Sequence, residues 1–111
     1  KKMKNEENDY SVGLLGMDGI YAGATIKFIS KQIVIGRDPR ECNVILLGNK
    51  ISRKHCVIWY DRQEGMYAVK DCSVNGVFQE NGERMQKNIP VFLKKQSVIY
   101  IATPENSFKL M

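Results

Sequence analysis

Apolar and polar positions alternate along most of the chain with a period of two. β-branched and aromatic residues dominate segments such as Ala24–Phe28 and Val98–Ile101, as expected for strands with one buried face. No stretch has the 3.6-residue period of a helix of ordinary length. The pattern therefore predicts an all-β chain. The expected strands lie near residues 11–15, 20–22, 24–30, 32–36, 43–47, 55–61, 66–71, 77–80, 83–86, 89–93, 97–102 and 106–110.

Turn-forming residues separate these segments at short intervals, for example at Gly48-Asn49 and Thr103-Pro104. Asn81-Gly82 predicts a tight hairpin, because Asn and Gly supply the two positive φ angles of a type I′ turn. Short strands joined in this way predict a β-sandwich of two antiparallel sheets. Binding residues are then expected on loops at one end of the sandwich.

Length and composition favour a single domain. The chain has 111 residues, 43% of them hydrophobic and 26% charged, which suffices for one core and not for two. Its longest apolar runs have four or five residues, too few to cross a membrane. Residues 1–11 are largely polar, without the apolar middle of a signal peptide. We therefore expect a flexible N-terminal tail at 1–11 and one domain at 12–111.

The formal net charge of +5 is concentrated in one part of the chain. Residues 31–60 hold six basic and two acidic side chains. Such an excess permits three kinds of partner: a nucleic acid, an anionic membrane or a phosphorylated protein.

The three cysteines predict neither a disulfide framework nor a metal site. Cys42, Cys56 and Cys72 are odd in number, contain no Cys-x-x-Cys pair and lack ligand spacing with the single histidine. Free thiols are typical of a reducing compartment, so the expected location is the cytoplasm. We expect no metal and no cofactor.

Three polar segments interrupt the apolar pattern between strands. They are Gly36-Arg37, Ser52-Arg53-Lys54-His55 and Ser73-Val74-Asn75-Gly76. Together they offer guanidinium, hydroxyl, amide and ammonium donors. This set of donors suits a phosphate dianion, which accepts several charge-assisted hydrogen bonds and favours the planar fork of arginine.

The order and spacing of these segments resemble the forkhead-associated (FHA) domain family over roughly residues 12–111. The matching motifs are Ile35-Gly36-Arg37, Ser52–His55, Asp71–Phe78 and Asn81–Glu83. The resemblance implies an eleven-stranded β-sandwich that binds phosphothreonine peptides and has no enzymatic activity. It also implies a phosphothreonine-containing partner in a Ser/Thr kinase pathway, with no membrane partner.

The resemblance assigns phosphopeptide contacts to five residues. Arg37 and Ser52 would bind the phosphate directly, and Arg53 and Lys54 would flank the same anion. Asn75 would hydrogen-bond the main chain of the peptide.

Five further residues have secondary roles in this resemblance. Lys50 lies where relatives select the side chain three residues after the phosphothreonine, which implies an acidic preference. Val74 replaces the threonine of many relatives, so one hydrogen bond to the ligand is expected to be missing. Gly36, His55 and Gly76 would support the site, with His55 as a packed, hydrogen-bonded residue that does not touch phosphate.

Several alternatives compete with this assignment. In the first, Arg37 pairs only with Asp38 or Glu41, and in the second, Ser52 is an ordinary turn serine. Ser52, His55 and Asp71 contain the residue types of a hydrolytic triad, although no nucleophile elbow or oxyanion loop accompanies them.

Two further alternatives concern the function of the whole domain. The basic segment 31–60 leaves nucleic-acid binding as a disfavoured alternative, because the aromatic residues lie in strand patterns that bury them. An FHA fold that has lost phosphate recognition and serves as a scaffold is the other alternative, and Val74 is its only support.

Overall fold

A computed structural model describes residues 12–111, and the expected tail at 1–11 lies outside the described residues. Residues 12–111 form ten strands in two sheets. The first sheet consists of β1 (Leu14–Gly16), β2 (Thr25–Ile26), β7 (Val77–Gln79), β9 (Val98–Ile101) and β10 (Ser107–Leu110). The second sheet consists of β3 (Gln32–Gly36), β4 (Val44–Ile45), β5 (Cys56–Asp61), β6 (Met66–Asp71) and β8 (Val91–Leu93). The strand orders are β2-β1-β10-β9-β7 and β4-β3-β5-β6-β8.

The hydrophobic core lies between the two sheets and follows the alternation of the sequence. In β5, Cys56 and Ile58 belong to the core, whereas Trp59 is half-buried on the other face of the sheet. Each fully buried Val, Leu or Ile contributes about 1.5–3 kcal/mol relative to its exposed state. The predicted all-β sandwich is confirmed. Its largest fully buried apolar side chains are Tyr67, Phe108, Leu14, Ile33, Ile35, Ile58, Ile99, Ile101, Leu110, Val44 and Val69.

The strand expected at 20–22 is wrong, because the chain forms a 3₁₀ turn at Gly19–Tyr21. The Asp18 carboxylate accepts a hydrogen bond from Gly19 N–H at 3.0 Å, and Ala22 N–H donates to Gly19 O at 3.1 Å. Gly19 has a φ of 87°, a conformation that suits glycine. These local bonds turn the chain where the alternation alone suggested a strand.

The strand expected at 83–86 is also wrong, since this segment makes only an isolated bridge between Arg84 and Phe78. The described residues contain ten strands, one fewer than the eleven that the resemblance implies. Only Gly82 in the preceding turn has a positive φ, and Gln79 N–H donates to Glu83 O at 2.9 Å. The hairpin is therefore a three-residue loop with a bulge at Gly82, and not a type I′ turn.

One strand pair departs from the expected antiparallel arrangement. β3 and β4 are parallel, whereas the other pairs within residues 12–111 are antiparallel. Asn43 accounts for this local geometry. Its main-chain N–H donates to Val34 O and its side-chain Oδ1 accepts from Val34 N–H, both at 2.8 Å. This pair of bonds holds the start of β4 beside β3.

The polar segments lie in loops next to strands of the second sheet. One loop follows β3, one precedes β5, and one connects β6 to β7. Within residues 12–111, no helix has the length and apolar character needed to span a membrane.

Candidate functional site

Main-chain hydrogen bonds join the first two loops directly. Arg37 N–H donates to Ser52 O at 3.0 Å and to Arg53 O at 3.1 Å. Gly36 makes this approach possible, since a Cβ atom at this position would lie 2.2 Å from Arg53 O. Any side chain at position 36 would push the two loops apart, which explains on steric grounds why glycine precedes Arg37.

Side chains join the second loop to the third. Ser52 Oγ accepts a hydrogen bond from Val74 N–H at 3.3 Å. The amide Nδ2 of Asn75 donates to Lys50 O at 3.0 Å. Ser52 and Val74 are 22 positions apart in the sequence, and Lys50 and Asn75 are 25 positions apart, yet both pairs are in contact. The structure brings the three polar segments together at one end of the sandwich.

His55 is fully buried beneath these loops and contacts two of them. Its Nδ1 accepts from Ser52 N–H at 3.1 Å, and its Nε2 lies 2.8 Å from Gly76 O. Because a main-chain N–H can only donate and a carbonyl can only accept, the proton is on Nε2 and the ring is neutral. Burial lowers the pKa of His55 below its usual value, which also favours the neutral ring.

A second set of buried polar groups shapes the loop between β6 and β7. Asp71 Oδ1 accepts from Ser73 N–H at 2.9 Å and from Ser73 Oγ at 2.6 Å. Ser73 Oγ in turn accepts from Gly76 N–H at 2.7 Å. Asp71 and Ser73 are fully buried, and they fix the backbone on which Val74 and Asn75 are carried.

Arg84 is a residue of this site that the sequence motifs did not identify. Its Nη2 donates to Val74 O at 2.9 Å. Gly76 has a φ of 97°, and a Cβ there would lie 2.8 Å from Arg84 Nε and 2.9 Å from a ring carbon of Phe78. Arg84 comes from the hairpin after β7, so no local pattern in the sequence links it to the loop that it contacts.

The Arg37 side chain is exposed and has no carboxylate partner among the described residues. Its Nε donates to Ile51 O at 3.0 Å, which orients the guanidinium. Asp38 instead pairs with Arg40 at 3.3 Å, and the Arg40 guanidinium lowers the pKa of this carboxyl group. The alternative in which Arg37 serves only an ion pair with Asp38 or Glu41 is therefore not realised within residues 12–111.

The remaining candidate residues divide by exposure. Gly36, His55 and Gly76 are buried, and Ser52 is partly exposed. Val74 is 73% exposed. The exposed candidates are Lys50, Arg53, Lys54, Val74 and Asn75, together with Arg37.

The hydrolytic alternative fails on geometry. His55 Nδ1 is bonded to the main chain of Ser52, and its Nε2 is bonded to Gly76 O. The Ser52 hydroxyl accepts from Val74 N–H, and the Asp71 carboxylate is bonded to Ser73. No Ser-His-Asp relay exists among these side chains. Within residues 12–111, no three His, Cys, Asp or Glu side chains are grouped as ligands for a metal ion.

Comparison with known proteins gives a family match over most of the sandwich. The FHA domain model matches residues 33–102. The meiosis-specific serine/threonine-protein kinase MEK1 of Saccharomyces cerevisiae is 33% identical over 102 residues, a match that covers 86% of this chain and 20% of the kinase. The chain thus spans about one fifth of the length of this curated relative.

Solved structures of FHA domains superimpose on the chain. The crystal structure of the MEK1 FHA domain has a TM-score of 0.77 and 26% identity, covering 99% of this chain and 98% of that one. Its complex with a HOP1 phosphothreonine peptide has a TM-score of 0.71 and 30% identity, covering 90% and 94%. The N-terminal FHA domain of S. cerevisiae Rad53p, also solved with a phosphothreonine peptide, has a TM-score of 0.68. At 22% identity, with 89% of each chain covered, this last likeness shows the fold alone.

Proposed function

The chain belongs to the FHA domain family, and from this premise we propose that it binds phosphothreonine peptides and mediates phosphorylation-dependent protein interactions. The observation that carries the proposal is the meeting of Arg37, Ser52 and Asn75 on three hydrogen-bonded loops. FHA relatives such as the MEK1 FHA domain bind phosphothreonine peptides. The function needs binding alone, with no proton transfer and no covalent step.

Arg37 and Ser52 are the proposed phosphate ligands. The terminal nitrogens of Arg37 have no partner in the described residues, so both can donate to phosphate oxygens. Ser52 Oγ accepts from Val74 N–H. A hydroxyl has one proton to donate besides its acceptor positions, so the Ser52 proton remains available to the anion. Arg53 and Lys54 are exposed beside Ser52 and add positive charge.

Asn75 is the proposed ligand of the peptide main chain. Its Nδ2 is committed to Lys50 O, which fixes the amide plane. Its Oδ1 accepts no hydrogen bond from a described residue, so it can accept one from a peptide N–H. The Lys50 side chain is exposed. We propose that Lys50 favours an acidic side chain three residues after the phosphothreonine.

The buried residues of the site have a supporting role in this proposal. Gly36 permits the close approach of two loops, and Gly76 adopts a backbone conformation that suits glycine. His55 connects the loops from below through its two ring nitrogens. A loop shape that is set before binding reduces the ordering cost of the complex.

The wider setting of the domain is proposed from its relative and its cysteines. We place the binding domain at residues 12–111 and its partner in a Ser/Thr kinase pathway, in line with the kinase that contains a similar domain. The three free cysteines, Cys42, Cys56 and Cys72, suit the reducing cytoplasm.

The test is a titration of the chain with a degenerate phosphothreonine peptide library, with the unphosphorylated library as its control. We expect binding only to the phosphorylated peptides. A phosphoserine library should bind about fivefold more weakly, because the domain is proposed to bury the extra methyl group. Equal binding of phosphorylated and unphosphorylated peptides would contradict the proposal.

Salt dependence separates this function from nucleic-acid binding. Raising salt from about 50 to 200 mM should weaken phosphopeptide binding less than about tenfold, because one localised anion is held. A ligand contacting six or more backbone phosphates would lose on the order of a thousandfold. Submicromolar binding of DNA or RNA in physiological salt, with no binding of phosphopeptides, would show that the basic segment 31–60 is a nucleic-acid site.

A further inference from the structure

A groove of about 1150 Å³ lies over the outer face of the second sheet. Gln32 pairs with Trp59 across β3 and β5, and Val57 pairs with Lys70 across β5 and β6, so these side chains form its floor. The segment 27–31 forms one wall. This basic groove is larger than the roughly 300–1,000 Å³ typical of small-molecule sites, which suits a segment of peptide.

The basic groove has a strongly one-sided charge. Lys31, Lys54 and Lys70 line it, as do Lys27 and Arg62, and none of its lining among residues 12–111 is Asp or Glu. Lys31, Lys54 and Lys70 make no ion pair with a described carboxylate. Like charges around a concave surface repel each other and raise the local potential, which attracts anions. The arrangement therefore favours an acidic ligand.

The lining is also apolar in part. Val57 and the half-buried Trp59 lie on the floor, and Ile29 in the wall is 86% exposed. An exposed isoleucine beside lysines offers nothing to a phosphate or a base edge, but it can pack against an apolar side chain. A surface that combines apolar and cationic groups is complementary to a ligand with apolar and anionic groups.

We propose that the basic groove binds an acidic peptide segment with interspersed apolar side chains, carried by a partner protein and bound independently of phosphate. A peptide fits better than single-stranded nucleic acid. Nucleic acids need exposed ring faces on which bases stack. The three aromatic rings that line the groove, Phe28, Trp59 and Tyr60, are all half-buried, and Phe28 and Tyr60 pack against Tyr67. Lys54 belongs both to the groove and to the Ser52–His55 loop, so the two binding places adjoin.

Trp59 provides a direct test, because it is the only tryptophan of the chain and lines the groove. The probe is a twelve-residue peptide with the repeat Glu-Glu-Leu, and its control has the repeat Lys-Lys-Leu. Titration of the full chain with the acidic probe should shift the Trp59 emission to shorter wavelengths and saturate. The basic control should cause no shift. A probe that leaves the emission unchanged would overturn the proposal.

Charge-reversed variants locate the site. Lys31→Glu/Lys70→Glu should weaken probe binding at least about tenfold, since two attractive charges become repulsive. Lys94→Glu/Lys109→Glu makes the same change in net charge outside the groove and should have little effect. The Arg37→Ala variant should bind the acidic probe like the parent, so failure of this proposal is distinguishable from failure of phosphothreonine binding. Equal losses in both lysine variants would overturn the groove assignment.

Two further arms address other occupants. A twelve-nucleotide oligothymidylate that binds more tightly than the acidic probe, with the same loss in Lys31→Glu/Lys70→Glu, would make the groove a nucleic-acid site. Glu6, Glu7 and Asp9 precede Val12, which lines the groove. If the probe binds only after Glu6→Gln/Glu7→Gln/Asp9→Asn, the occupant is this chain's own segment and a partner peptide is excluded.

Discussion

At the end of the sandwich where the three polar segments meet, the buried polar groups and the exposed ones differ in what they bind. Below the loops, His55, Asp71 and Ser73 are fully buried, and His55, Ser73 and the Oδ1 atom of Asp71 are hydrogen-bonded within the protein. Above them, Arg37 and Asn75 are exposed, and each side chain has only one of its polar groups hydrogen-bonded within the protein. Buried polar groups need hydrogen-bond partners within the protein, whereas exposed donors are hydrated and remain available to a ligand. One side therefore sets the shape and the other is left for binding.

Arg37→Ala should give the largest effect and act on the exposed side alone. A charge-assisted hydrogen bond to phosphate is worth about 1.5–3 kcal/mol, so phosphopeptide affinity should fall at least about tenfold. The melting temperature should stay nearly unchanged, since the side chain is exposed. Calorimetric titration and thermal melts measure both quantities. Undiminished binding by the folded variant would remove Arg37 from the site.

His55→Ala tests the buried side and should show the reverse order of effects. Ser52 N–H and Gly76 O would lose their partners, so the free energy of unfolding should fall by roughly 1–3 kcal/mol. Phosphopeptide binding should fall as a consequence of the altered loops. Denaturant unfolding with a parallel titration separates the two effects. A variant that is as stable as the parent but does not bind would identify His55 as a direct ligand.

Val74→Thr probes the position where the resemblance to the family leads us to expect a threonine and this chain has valine. Val74 is 73% exposed, and only its main chain is hydrogen-bonded, to Ser52 Oγ and Arg84 Nη2. An added hydroxyl can donate to the ligand, which should raise phosphopeptide affinity about two- to tenfold at a gain of about 0.5–1.5 kcal/mol. The matched control is Val74→Ala, which adds no hydroxyl. Equal affinities for the threonine and alanine variants would mean that this position does not reach the ligand.

The smallest effect is a pH dependence of stability that originates on the buried side. Burial lowers the pKa of His55, so the unfolded chain takes up its proton at a higher pH than the folded chain. The contribution of neutral His55 to stability is complete above the unfolded pKa of about 6.5 and is lost as pH falls through the folded pKa. His55 is the only histidine of the chain. Unfolding measured from pH 7 to pH 5 should show this loss, and His55→Gln should lack it.

Local pattern was sufficient for the three longest strands and for the residue types of the loops. β3 and β6 lie at the predicted residues and β5 begins one residue later than predicted, because alternation with a period of two reports directly which face of a strand is buried. Gly36-Arg37 was recognisable as a motif because its residues are contiguous. The segments 20–22 and 83–86 were mispredicted, because the Asp18 side chain and the bulge at Gly82 turn the chain locally.

Only the tertiary structure decided which of these groups meet. The hydrogen bond between Ser52 and Val74 spans 22 residues, and the one between Asn75 and Lys50 spans 25. The sequence around one residue of each pair does not specify the other residue. Arg84 carries no motif, yet it supports Val74 from another hairpin. Alternation places Trp59 in a strand but does not reveal whether other parts of the chain cover the outer face of that strand's sheet. Sheet pairing and packing fix these long-range contacts, and through them the site and the groove.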